Sequence, residues 1–82
     1  MAHQLTITVI NSKLNSGAAE DRKTEAMKIV PAIEKAIAGK SQFGQVMMIH
    51  VDYVTRQGND SKIIQGLDFN KSPAGAFVLH QT

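Results

Sequence analysis

Residues 45–54 form an apolar run whose alternation is typical of a β-strand with two apolar faces. Alternate side chains of a strand point to the same side. One row holds Met47, Ile49, Val51 and Tyr53, and the other holds Met48, His50, Asp52 and Val54. One row can pack against a helix in a chain this short. The other is left for a partner, a ligand or a reaction.

The segments around this run predict one helix and three further strands. Residues 5–10 alternate and are β-branched at most positions, which favours a strand. A helix is expected from about residue 18, with acidic residues in its first turn and Gly39 as its C-terminal stop. The remaining strands are predicted over roughly 45–55, 62–69 and 76–80, separated by turn-forming clusters.

Two residues interrupt otherwise regular patterns. Pro31 costs about 3 kcal/mol inside a helix, so it either kinks one helix or starts a second short one. The apolar stripe keeps its phase across the proline, which favours a single kinked helix. Gly66, in the middle of the third strand, predicts a bulge or a close backbone approach.

The order of these elements predicts an α+β fold, with a mixed four-stranded β-α-β-β-β sheet and one long helix on one face. The first two strands are expected to be parallel because a helix joins them, and the hairpins make the others antiparallel. At 82 residues, the whole of 1–82 is expected to form a single domain. The uncovered face is then expected to be apolar and to bury itself in a homodimer. The interface candidates are Ile10, Met48, Val54, Ile64 and Val78.

Composition removes several classes of function. The chain has no cysteine, which excludes disulfides, thiolate catalysis and cysteine zinc sites. Its formal net charge is +2, its lysines are dispersed and only Arg22 and Arg56 are arginines, so nucleic-acid binding is not expected. No apolar run is long enough for a membrane span and no signal-peptide pattern precedes the first strand, which predicts a cytoplasmic protein. No cofactor is expected.

His50 and Asp52 are the residues best suited to chemistry. They share one strand face, and a carboxylate that accepts a hydrogen bond from a ring N–H of histidine raises the basicity of the imidazole, as a general base needs. His80 joins them if the last strand lies nearby. Pairs of this kind occur often by chance. The favoured interpretation is therefore a histidine and an aspartate without a catalytic role, on a half-exposed face or at an interface. His3, His50, His80 and Asp52 are the available metal ligands, but their spacing does not bring them together, so no metal site is expected.

Two functions therefore stay open. The leading hypothesis is a small non-enzymatic binding or assembly module that associates with itself or a protein partner through the uncovered sheet face or an edge. The alternative is a small acid–base enzyme or ligand-binding protein that uses His50 and Asp52 on that face, joined by His80 if the last strand lies nearby. The first predicts that Met48→Asp breaks association, and the second predicts a displaced pKa for His50.

Overall fold

The computed structural model describes residues 4–80, which form a four-stranded sheet with one long helix on one face. The strands are β1 (Gln4–Ile10), β2 (Met48–Gln57), β3 (Asp60–Lys71) and β4 (Phe77–Leu79), and the helix is α1 (Ala19–Ile37). Two short 3-10 turns lie at Lys13–Ser16 and Ser41–Phe43. The predicted α+β class is confirmed.

The sheet has the strand order β1-β2-β3-β4. β1 and β2 are parallel, and β2–β3 and β3–β4 are antiparallel, as the helical crossover and the hairpins predict. The hairpin between β2 and β3 turns on two residues, Gly58 and Asn59. Gly58 has φ +60°, a conformation that glycine adopts without the steric cost of a side chain.

The helix α1 continues through Pro31, so the prediction of one helix is confirmed. Its buried residues are Arg22, Ala26 and Val30, which follow one another at intervals of four and form a single stripe against the sheet. Within residues 4–80, no helix is long and apolar enough to cross a membrane.

The core lies between α1 and the sheet. Ile49, Val51 and Tyr53 of β2 have no exposed surface, and they pack with Leu67 and Phe69 of β3. These residues alternate along their strands, so their neighbours in sequence point to the opposite side of the sheet.

The row of β2 residues predicted to face the helix is wrong at Met47. The prediction places Met47 under the helix, but its side chain is 54% exposed. The strand β2 begins only at Met48, so Met47 precedes the alternating segment and does not follow its pattern.

The helix is offset across the sheet. It packs mainly on β2, β3 and β4. The helix-side residues of β1, which are Leu5, Ile7 and Val9, consequently reach the core but stay only half-buried. The edge of the sheet at β1 therefore keeps apolar surface that the helix does not cover.

A β-bulge shifts the register of the β2–β3 hairpin. Tyr53 pairs with Gln65, but the next residue, Val54, pairs with Ile63, so Ile64 has no counterpart on β2. Ile64 packs against the core, whereas Ile63 is 62% exposed. The predicted placement of Ile64 on the uncovered face is therefore wrong, because the extra residue reverses the alternation at this point.

Candidate functional site on the open sheet face

The sheet face opposite α1, called the open face below, carries a row of polar residues that crosses all four strands. Thr6 pairs with His50 and His50 pairs with Asp68. The N–H of His80 donates to the carbonyl of Asp68 at 2.8 Å, so His80 follows as the last member of the row. The structure thus brings His80 beside Asp68, with Asp68 between the two histidines.

His50 lies between two carboxylates. Its Nε2 is 2.5 Å from Oδ1 of Asp52, and its Nδ1 is hydrogen-bonded to Oδ1 of Asp68. The main-chain carbonyl of Asp68 points towards His80 and away from β2, so His50 and Asp68 form a non-hydrogen-bonded backbone pair. In such pairs the Cα atoms approach to about 4.5 Å and the side chains lie close together. We call Asp52, His50 and Asp68 the carboxylate–imidazole cluster.

Gly66 provides the space for this cluster. It pairs with Asp52 across the β2–β3 ladder. A Cβ atom at Gly66 would lie 3.1 Å from Oδ1 of Asp52 and 3.2 Å from Cε1 of His50, which is tighter than ordinary contact. The close approach predicted at this glycine is confirmed, and the atoms that approach belong to the cluster.

The environment of His50 favours its protonated form. Burial of the ring lowers its pKa, but hydrogen bonds to Asp68 and Asp52, together with their negative charges, outweigh burial and raise the pKa above its usual value of about 6.5. The side chain of His50 is 23% exposed, that of Asp52 is 19% exposed and that of Asp68 is 42% exposed. The cluster is therefore partly shielded, with Asp68 as its most accessible member.

This arrangement limits the chemistry of His50. An imidazolium that donates both of its N–H groups to carboxylates has no nitrogen free to accept a proton from a substrate. For metals, no group of three or more potential ligand residues among residues 4–80 is arranged to hold an ion. His3, one of the ligands considered from the sequence, lies outside the described residues.

The five candidate interface residues do not form one apolar surface. Ile10 is 45% exposed and Val78 is 54% exposed, but they lie on opposite edge strands. Met48 is half-buried, Val54 is only 7% exposed, and Ile64 packs on the helix side. The charged cluster occupies the middle of the open face between the exposed apolar residues.

The outer edge of β1 carries unpaired main-chain groups. Among residues 4–80, β1 pairs only with β2, and its sequence contains neither a charged residue nor a proline. The N–H of Asn11 donates to the carbonyl of Val54 at 2.8 Å. Because main-chain groups alternate along a strand, those of Thr6 and Thr8 point the other way, towards the outside. We call this the free edge of β1.

The outer edge of β4 is protected at Phe77 by a side chain. β4 has three residues, and the N–H of Phe77 donates to Oε1 of Glu34 at 3.1 Å. Glu34 lies on α1, which packs beside β4. A carboxylate oxygen thus occupies the place where the carbonyl of a further strand would bind.

The segment between β1 and α1 is held by a buried arginine that the sequence did not single out. Nη1 of Arg22 donates to the carbonyl oxygens of Leu14, Asn15 and Gly17 at 2.7, 3.2 and 3.0 Å. Its Nε donates to Oε1 of Gln65 at 2.6 Å. These bonds give Nε and Nη1 neutral acceptors and tie the loop after β1 to the helix and to β3.

Comparison with protein-family models, with curated proteins and with solved structures finds no match to this chain.

Proposed function

We propose that this protein is a non-enzymatic assembly module that forms a homodimer by antiparallel pairing of the free edge of β1 with the same edge of a second copy. The observation that carries the proposal is a seven-residue edge strand without charge or proline, whose outer side has no strand partner within the described part of the chain. Proteins that stay monomeric normally block such an edge with charges, proline, a bulge or a covering segment.

The sequence of β1 is compatible with a two-fold axis through Ile7. Antiparallel pairing about that residue sets Leu5 opposite Val9 of the second copy and Thr6 opposite Thr8. Thr6 and Thr8 are the residues whose main-chain groups point outwards, so this register lets them exchange N–H···O bonds directly. The pairing also sets hydroxyl against hydroxyl on the open face and apolar against apolar on the helix side.

The offset of the helix supplies a second reason for pairing at this edge. Leu5, Ile7 and Val9 are half-buried because α1 packs over the other strands. A second copy would bring the same three residues alongside them and bury part of this surface, which is favourable at about 25 cal/mol per Å².

The open face and β4 are less suitable for self-association. Pairing two open faces would bury the carboxylates of Asp52 and Asp68 from both copies, and burial of charge is costly. β4 is short, and the N–H of Phe77 is already bound by Glu34.

The alternative of an acid–base enzyme has less support. It needs His50 to exchange a proton with a substrate, yet both ring nitrogens are bound to carboxylates. His80, the third residue of that hypothesis, is exposed at the far side of Asp68. The proposal therefore assigns no catalytic residue.

The test is the molar mass in solution, measured by light scattering after size exclusion over a concentration series. Wild type should run as a dimer that dissociates on dilution. Thr8→Pro should run as a monomer, because proline removes an outward N–H of β1 and is a natural blocker of strand edges. Thr8→Val is the matched control, since it retains the N–H and a β-branched side chain and should stay dimeric.

Three outcomes would overturn the proposal. Wild type could remain monomeric up to roughly millimolar concentration, well above the range of specific homodimers. Thr8→Pro could keep its dimeric mass with unchanged amide protection in β3, which serves as the control for folding. Finally, Met48→Asp could produce monomers where Thr8→Pro does not, which would move the interface to the open face.

A further inference from the structure

We propose that the carboxylate–imidazole cluster is a pH-dependent link between β2 and β3, which holds Asp68 while His50 is protonated and releases it when His50 loses its proton. The observation behind it is the placement of one ring between two carboxylates on adjacent strands. This inference is independent of the proposed dimer, because the link lies within one chain.

The number of N–H groups on the ring determines how many carboxylates it can bind. Protonated His50 has two, one for Asp52 and one for Asp68. Neutral His50 keeps one, so its other nitrogen would set a lone pair against a carboxylate oxygen at hydrogen-bonding distance. That contact is repulsive, and one carboxylate has to turn away.

Exposure indicates which carboxylate turns away. The side chain of Asp52 is 19% exposed, and it shares a strand with His50. The side chain of Asp68 is 42% exposed, so water can solvate it after a simple rotation. Loss of the proton therefore breaks the cross-strand bond to Asp68 and keeps the bond to Asp52.

The other groups that face the ring do not replace the link. β1 presents Thr6 and Thr8, which carry no charge. On the β4 side, His80 is the titratable residue that comes next in the row, and its main-chain N–H donates to the carbonyl of Asp68. A protonated His80 would add positive charge beside Asp68, so its contribution has to be separated by substitution.

The direction of the pH effect follows from the raised pKa of His50. A group whose pKa is higher in the folded than in the unfolded chain stabilises the fold fully below its unfolded value, about 6.5 for histidine. That stabilisation is lost as the pH rises through the folded value. Because Asp68 also accepts a main-chain bond from His80, its release should loosen β3 and β4 before β1.

The experiment combines a ¹⁵N titration of the His50 ring with amide exchange across the sheet, corrected for the intrinsic effect of pH. In wild type, both ring nitrogens should be protonated at low pH. As His50 titrates, exchange of the Leu67 and Phe69 amides should rise several-fold while that of the β1 amides stays constant. Asp68→Asn is the matched variant. It should lower the pH at the midpoint of the His50 titration. It should also abolish the pH-dependent rise in β3 amide exchange, which is called the step below.

Two further variants separate this link from general effects on folding. His80→Gln should leave the step in place. Gly66→Ala keeps every charge but puts a methyl group against the ring, so it should lower the His50 midpoint and weaken the step.

The proposal is overturned if β3 exchange does not change while His50 titrates in wild type. It is also overturned if the pH-dependent rise persists in Asp68→Asn, or if it disappears in His80→Gln. If Asp68→Asn does not fold, the proposal is tested by the rise in β3 exchange in wild type and by its weakening in Gly66→Ala. All samples are measured at one concentration, with the molar mass recorded, so that dissociation of a dimer is not mistaken for release of Asp68.

Discussion

The two edge strands of this sheet differ in length and in how their outward main-chain groups are bound. β1 ends the sheet with seven uncharged residues, and the main-chain groups of Thr6 and Thr8 point outwards without a strand partner. β4 ends it with three residues, and Glu34 binds the N–H of Phe77. The comparison shows that one side chain from a neighbouring helix can block an N–H of a short edge, whereas the longer edge at β1 receives no such bond among the described residues.

The position of the helix explains the difference. α1 packs beside β4, which brings the carboxylate of Glu34 within hydrogen-bonding distance of that edge. The same offset leaves the helix-side residues of β1 half-buried. Protection at one edge and exposure at the other therefore have one structural cause.

A charge placed on each edge in turn should give the largest difference in the dissociation constant of the proposed dimer. Thr8 and Val78 are both exposed residues of edge strands. Thr8→Lys should weaken the proposed dimer at least about tenfold, on the order of 1.4 kcal/mol, because two lysines would meet near the two-fold axis. Val78→Lys should leave the dissociation constant unchanged. Light scattering over a dilution series measures both, and equal effects at the two positions would abolish the proposed distinction between the edges.

Removal of the carboxylate that protects β4 should have an intermediate effect. Glu34→Ala should lower the free energy of unfolding by about 1 kcal/mol, because the N–H of Phe77 loses its acceptor in a partly buried place. Glu34→Gln keeps an acceptor oxygen and should lose less. Urea unfolding at fixed protein concentration makes the comparison, and equal losses would assign the effect to charge rather than to the hydrogen bond.

A charge on the open face should have the smallest effect. Met48→Asp should leave the molar mass unchanged, since the proposed interface is the edge of β1. Its free energy of unfolding should fall by no more than about 1 kcal/mol, because Met48 is only half-buried. Light scattering and urea unfolding measure the two quantities. A shift to monomer would restore the open face as the interface.

Much of the fold can be predicted from the sequence because its signals are local. Alternating β-branched residues, the glycine-containing turn at residues 58–59 and the apolar stripe that crosses Pro31 each specify an element without knowledge of the rest. The errors at Met47 and Ile64 arise where alternation stops or reverses. No residue type identifies those points, since the start of β2 and the bulge depend on how two strands pair.

The cluster was predictable only in part. His50 and Asp52 share a strand face by simple alternation, and Asp68 lies between the core residues Leu67 and Phe69, which sets it on that same face. Its contact with His50, however, requires the bulge. Counted without a bulge from the turn, the ladder would place Leu67 opposite His50.

Contacts made by the helix gave no sequence signal. The bond from Phe77 to Glu34 and the bonds of Arg22 to the loop carbonyls join residues that are distant in the chain or belong to irregular backbone. Propensity and periodicity describe neighbours within one element, so they do not report such pairs.

The bulge has a consequence for changes in chain length. Residues on either side of Ile64 form regular ladders of their own, so a chain that lacked this one residue could keep both the Tyr53–Gln65 and the Val54–Ile63 pairs. Loss of a residue between Gln65 and Asp68 could also be taken up by closing the bulge, but Ile64 and Gln65 would then have to move to new partners on β2. Position 64 is thus the place in β3 where a deletion can be absorbed with every existing pair kept.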